Sequence, residues 1–265
     1  VNSAHFTAGV DEPAVVITRV AEMQWHAVAD DRVVGRGEAF RRPDGRIFLS
    51  IDSWRDTVFD QLAEAMLAIL PTPLHTVVDE ADLDLTSSWR RVGFSTGRRE
   101  WEYHLPTDPR VTGLDTVRPP SGVTVTPIGA ARQGPLREVY DAIRAEVDVT
   151  AGWESMPTEV LVRSDGTAPL DPSKYAVAEQ GGRYVGLVRV VSRRHHARIG
   201  LVAVRADDHR RGIARALLAN VLGALHRGGV DTASAEVDES NEAAKALCAG
   251  LGARRMGSAL ELVRR

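Results

Sequence analysis

The segment Ile199-Gly-Leu-Val-Ala-Val204 is apolar and reads as a strand. It runs into the polar loop Arg205-Ala-Asp-Asp-His-Arg-Arg211, and then through Gly212 into Ile213-Ala-Arg-Ala-Leu-Leu218. Apolar residues Ile213, Leu217, Val221, Ala224 and Leu225 recur at helical spacing on the far side of the glycine. A strand that passes at once into an amphipathic helix needs further strands beneath that helix, which places the chain in the α/β class with a mixed sheet. The junction also has chemistry. The first N–H groups of a helix lack partners and carry partial positive charge, and a glycine lets a ligand approach the backbone closely. Such a turn is a site for an anion of the pyrophosphate kind.

Around this segment the chain reads as two similar halves. In the second half, strands are predicted at Val123–Pro127, Tyr175–Ala178, Tyr184–Val191, Ile199–Val204, Asp231–Val237 and Ala259–Val263. Helices are predicted at Gly134–Val147, Thr158–Val162, Ile213–Arg227 and Asn241–Ala249. The first half echoes this order: strands over Met23–Ala29, Val33–Phe40, Arg46–Ile51, Leu74–Val78 and Glu100–Leu105, with helices over Ser53–Leu70 and Asp84–Arg91. We read a diverged internal repeat. Residues Pro106 to Gly122 carry four prolines and two glycines without apolar periodicity, a linker pattern. The expected organisation is a domain over residues 1–105, a linker over 106–122 and a second domain over 123–265.

Composition narrows the function classes. The net charge of −3 provides no basic field for nucleic acid, and no apolar run is long enough to span a membrane. The single cysteine, Cys248, excludes an internal disulfide and a cysteine-built zinc site. His195 and His196 are adjacent, so on a strand they face opposite ways, and no metal is expected. The N-terminus does not read as a signal peptide, and the cytoplasm is the default compartment. Lys174 and Lys245 are the only lysines among 33 basic residues, a bias typical of high-GC bacterial genomes.

The loop with Gly212-Ile213-Ala214 after a strand resembles the first motif of the GNAT (Gcn5-related) acetyltransferase superfamily. Asn241-Glu-Ala-Ala244, Leu247-Cys248 and Gly252-Ala253 resemble its second motif, in the right order and spacing. In the first half only an outline matches: Gly35 after a strand, Arg55 at a helix start, and Trp89-Arg-Arg-Val-Gly-Phe94. The arrangement is similar to that of tandem two-domain GNAT proteins such as mycothiol synthase, with a degenerate N-terminal domain.

The resemblance implies acetyl-coenzyme A as co-substrate. The N–H groups of Arg210, Arg211, Gly212, Ile213 and Ala214 would hold its pyrophosphate, the main chain of Val202, Ala203 and Val204 its pantetheine arm, and Asn241 would join the coenzyme site. His209 stands where the family usually has Arg or Gln. In the first half the corresponding turn, Arg55-Asp-Thr-Val58-Phe-Asp60, has no glycine and two acids, so no coenzyme is expected there.

Cys248 lies where many members have a tyrosine that protonates the departing thiolate. It reads either as an acid or nucleophile or, more plainly, as a small buried apolar group. Glu236 is the nearest carboxylate to the family's general-base position, and His195 and His196 are the alternatives. Glu138, Asp141, Glu146, Asp148 and Glu154 form a candidate acidic wall for a cationic amine, with Trp153 and Met156 as a candidate apolar floor. The expected activity is N-acetyl transfer to a primary amine of a small molecule or peptide, by a monomer or homodimer that binds neither nucleic acid nor membrane. The alternative is a non-catalytic acyl-CoA-binding or regulatory module.

Overall fold

A computed structural model describes residues 14–150, 170–193 and 195–265. The strands are β1 (Val16–Ala21), β2 (Gln24–Ala29), β3 (Arg32–Arg41), β4 (Ile47–Ser53), β5 (Leu74–Asp79), β6 (Ser95–Pro106), β7 (Val123–Thr126), β8 (Tyr175–Gln180), β9 (Arg183–Arg193), β10 (His196–Val204), β11 (Thr232–Asp238) and β12 (Arg254–Arg264). The helices are α1 (Asp56–Leu67), α2 (Leu83–Arg91), α3 (Pro109–Thr112), α4 (Gln133–Thr150), α5 (Ile213–Arg227) and α6 (Glu242–Ala249). The predicted helix over Thr158–Val162 lies outside the described residues.

All twelve strands join one sheet, in the order β1-β2-β3-β4-β5-β12-β6-β11-β10-β9-β8-β7. The order is the same from either end when β1 to β6 are exchanged for β7 to β12. The strand order is therefore pseudo-two-fold symmetric, with β6 and β12 at its centre. Each half gives its last strand to the other: β6 pairs with β11 from Thr232↔Pro106 to Asp238↔Glu100, and β12 pairs with β5 from Ala259↔Asp79 to Arg264↔Leu74.

Two apolar clusters fill one face of the sheet. One gathers Trp25, Leu62, Met66 and Trp89 under α1; the other gathers Val188, Ile213, Leu217 and Val221 under α5. Leu260 of the first cluster pairs with Arg99, which shares its face of β6 with Trp101 and Tyr103 of the second, so both clusters lie on the same side. Glycines admit the helices: a Cβ at Gly35 would sit 2.7 Å from Val58 and 3.0 Å from Leu62 of α1, and one at Gly186 would sit 3.3 Å from Leu217 of α5.

The opposite face differs between the halves. In the C-terminal half, α4 lays Leu136, Val139, Tyr140 and Ile143 on Tyr175, Leu187 and Leu201. In the N-terminal half a turn at Glu22 and Met23 joins β1 to β2, and no helix stands in the place of α4. Strand β1 has no counterpart in the predicted elements, because its alternation is interrupted by Arg19 and Ala21 at a register shift. The predicted helix over Ser53–Leu70 starts later, at Asp56, since Ser53 still pairs with Gly35 in the sheet. The proline-rich connection packs closely against the C-terminal half: α3 touches α5, Leu114 joins the cluster under α5, and Thr107 is buried with its hydroxyl on the Val230 carbonyl 2.5 Å away.

Candidate active site

Strands β10 and β11 are parallel, yet they pair only at Ala197↔Ala233 and Arg198↔Ser234. On its other side β10 stays paired with β9 as far as Val204↔Gly186. Beyond Arg198 the two parallel strands diverge, and the β11-facing edge of β10 is left open. A shift of register at Gly200 marks where the divergence begins. Val202, Ala203 and Val204, half-buried, lie along this open edge. A strand edge without a neighbour offers main-chain donors and acceptors to an extended ligand.

The open edge leads to the glycine turn. Gly212 is left-handed, with φ +84°, and so is Arg210, with φ +58°. No side chain caps α5, so the N–H groups of Ile213, Ala214 and Arg215 have neither an intrahelical nor a capping partner. A Cβ at Gly212 would meet nothing within 4 Å. The turn is therefore both polar and roomy, as an anion at a helix N-terminus requires.

The side chains of the loop divide their work. His209 places Nε2 2.8 Å from the Val204 carbonyl, so this nitrogen carries the proton and ties the loop to the end of β10. Arg211 donates to the buried Asp208 carboxylate, and to Gln180 at 3.0 Å, so it braces the loop from within. Arg210 is exposed. Asn241 caps α6, its Oδ1 accepting from the Ala244 N–H at 3.0 Å.

At the apex of the divergence Glu236 is held by an ion pair from Arg198. Burial is the main reason that the Arg198 guanidinium sits below its usual value. Strand exchange brings two more acids to this spot. Glu102 of β6 stands directly opposite Glu236, and Glu100 opposite Asp238. Arg98 bonds Asp238 at 2.9 Å and also Glu100, and His104 lies 3.4 Å from Glu102. Sequence reasoning missed Glu100 and Glu102 because they belong to the first half; only the register of β6 against β11 carries them across.

Cys248 is 6% exposed and faces the cluster under α5, and burial pushes its thiol up to about 11. Tyr103 of β6 belongs to the same cluster, and burial, then the nearby Cys248, raises its phenol. Of the candidate acidic wall, Glu138 and Asp141 are exposed on α4, whereas Glu146 is bound to the loop after β10. The side chains of Asp148, Trp153, Glu154 and Met156 lie outside the described residues. His195 is exposed in the turn before β10 and His196 opens that strand. Among the described residues no group of three or more His, Cys, Asp or Glu is placed to hold a metal ion, and no helix is long and apolar enough to cross a membrane.

The N-terminal half has the same divergence with different lining. Strands β4 and β5 pair only at Ile47↔Leu74 and Phe48↔His75. Past that point lies a cavity of about 560 Å³, lined by Asp52, Asp56, Asp82 and Asp84 along with Trp54 and Arg55. Arg55 precedes α1 in an extended conformation (φ −130°), and Arg91 spans Asp60 at 3.0 Å and Asp56 at 3.7 Å.

Residues 139–253 match the model of the acetyltransferase (GNAT) family. A search of curated proteins finds no match. Among solved structures, the fold is similar to a tandem GNAT protein from the clavulanic acid biosynthesis pathway, with TM-score 0.64 and 16% identity over 95% of this chain and 83% of that one. It is also similar to a GCN5-related N-acetyltransferase from Sphaerobacter thermophilus, with TM-score 0.63 and 17% identity over 93% and 82%. A third, from Kribbella flavida, has TM-score 0.56 and 13% identity over 96% and 90%. These likenesses describe the fold; the matched residues run from within α4 through the open edge of β10 and the Gly212 turn to α6. Over residues 139–253 the chain is thus similar to the acetyltransferase (GNAT) family.

Proposed function

We propose that the chain is a tandem GNAT protein whose C-terminal half transfers the acetyl group of acetyl-coenzyme A to a primary amine of a small molecule or peptide. The observation that carries this reading is the uncapped, left-handed Gly212 turn at the end of a strand edge left open by β11. The turn fits a pyrophosphate, and the edge at Val202 to Val204 fits the amide-bearing arm of the coenzyme. The N–H groups of Arg210 to Ala214 would hold the phosphates, with Arg210 adding charge, while Arg211 supports the loop.

In the proposed step the neutral amine attacks the thioester carbonyl. A C–N bond forms, the C–S bond breaks, and the coenzyme leaves as a thiolate that takes up a proton. The ammonium proton goes to a carboxylate, directly or through water, and Glu236 at the apex of the divergence is our candidate. The carbonyl oxygen would be polarised by a main-chain N–H of the open edge of β10, a preorganised donor. Cys248 remains a candidate acid. Its raised, buried thiol supports the packing role instead, because a nucleophile needs a lowered pKa.

The degenerate N-terminal half would bind no coenzyme in this way. Acids line its cavity, and their charge opposes a pyrophosphate. Calorimetry with coenzyme A, together with thiol release from acetyl-coenzyme A across a panel of amines, tests the proposal. Binding accompanied by amine-dependent thiol release is expected. Binding without release under any amine would favour a non-catalytic coenzyme-binding module, and absence of binding would sink the assignment.

A further inference from the structure

We infer that Glu146 of α4 is a positioning residue for the coenzyme loop, and that it mechanically joins the acceptor side of the site to the donor side. This rests on the coenzyme reading above. Glu146 Oε1 accepts from Arg205 Nε at 2.5 Å, and Oε2 accepts from the Ala206 N–H at 2.9 Å. One carboxylate thus grips both the side chain and the main chain of the first residues after β10. The same stretch is fixed from the sheet side, where the Arg205 N–H donates to the Val185 carbonyl at 2.9 Å.

Burial on its own would raise this carboxyl, but the bonds from Arg205 and Ala206 outweigh it and hold the group below its usual value. The charged form is therefore the one built into the structure. Bonds to a charged acceptor are about twice as strong as neutral ones.

The place of the contact gives it a role. Arg205 and Ala206 begin the loop that ends in the left-handed turn at Arg210 and Gly212, and His209 of that loop bonds the Val204 carbonyl at 2.8 Å. Glu146 lies near the end of α4, whose Leu136, Val139 and Ile143 pack on the face opposite α5. A clamp from that face fixes the entry of the loop, as Asp208 and Arg211 fix its middle. Among the described residues the N-terminal half has no helix between its first two strands, no such clamp and no left-handed glycine before α1. The grip and the left-handed turn occur together in one half, and neither is found among the described residues of the other.

The role separates from an acceptor-wall role by what changes. Glu146→Gln keeps the shape but presents an amide N–H to one of the two donors. Its dissociation constant for coenzyme A, by calorimetry, is expected to rise about ten-fold, the effect of losing one charge-assisted bond. Turnover at saturating concentrations of both substrates is expected to stay within about two-fold. Glu146→Asp, which retains the charge, is expected to recover part of the affinity. Arg205→Ala should add little to Glu146→Ala in the double variant, since the bond from Arg205 is already lost with the carboxylate.

As a control, Glu138→Gln, exposed on the same helix, should leave coenzyme affinity unchanged. Unchanged coenzyme affinity in Glu146→Gln, or lost turnover with affinity intact, would overturn the inference. If the wild-type protein itself failed to bind coenzyme A, the functional reading would fall first. If the Gln variant does not fold, Arg205→Ala gives the same reading of coenzyme affinity.

Discussion

The turn before α5 and the turn before α1 hold corresponding places in the two halves, each just past a pair of diverging parallel strands. Neither helix start has a side-chain cap, but in one Gly212 is left-handed. In the other, Arg55 is extended, and Asp56 and Asp60 occupy the first turns with Arg91 across them. The backbone scaffold is common to both; the left-handed glycine is in one half. The opening between parallel strands is repeated in both halves. The glycine at the turn and the charges around it are not repeated.

The largest expected effect tests this contrast directly. Gly212→Glu places a side chain at φ +84° and a negative charge on the anion site, and coenzyme affinity should fall at least a hundred-fold by calorimetry. Asp56→Asn at the matching turn should leave affinity as it was. Equal losses from the two changes would mean that both halves bind.

Next, Glu236→Gln should lower turnover by roughly a hundred-fold or more with coenzyme affinity kept, as for loss of a general base. Glu102→Gln, across the strand pair, should cost less. A reversal of that order would move the base to the strand given by the other half.

The shared sheet makes a third comparison. Trp89→Ala in one core and Leu217→Ala in the other should each destabilise by about 3–5 kcal/mol. Both proteins should still unfold in a single transition seen equally by far-UV dichroism and by tryptophan fluorescence. Separate transitions for the halves would contradict the coupling expected from β6 and β12.

The smallest effect concerns Cys248. Its thiol is raised from 9.0 to about 11 by burial. The folded state therefore keeps a proton that the unfolded chain releases, so this group's contribution to stability is lost as pH rises from about 9 through 11. Cys248→Ala should flatten that fall in a urea titration at several pH values and leave turnover within a few-fold. A collapse in turnover would make the cysteine catalytic.

Much of the fold could be read because local patterns are strong where helices cover one face of the sheet. The predicted helix Ile213–Arg227 coincides with α5, and the predicted strand Tyr184–Val191 lies within β9. Boundaries shifted where sheet pairing outlasted the pattern, as at Ser53. The glycine turn was legible since only glycine suits its conformation. The exchange of β6 and β12 was not, because neither strand carries any mark of its partner. Glu102 and Tyr103 were therefore out of reach, and so was the use of Glu146, whose partners depend on how α4 meets a loop far along the chain.

The central exchange also sets a timetable for synthesis. Leu74 of β5 finds its partner at Arg264, and the neighbouring strand β12 is made long after β5. At ribosomal speeds the first half waits on the order of ten seconds or more with one side of β5 unpaired. An open strand edge is a template for pairing with the wrong chain. The first half thus behaves during that interval as an unfinished sheet whose closing strand arrives last, and the emerging chain has most to gain then from a chaperone that shields β5.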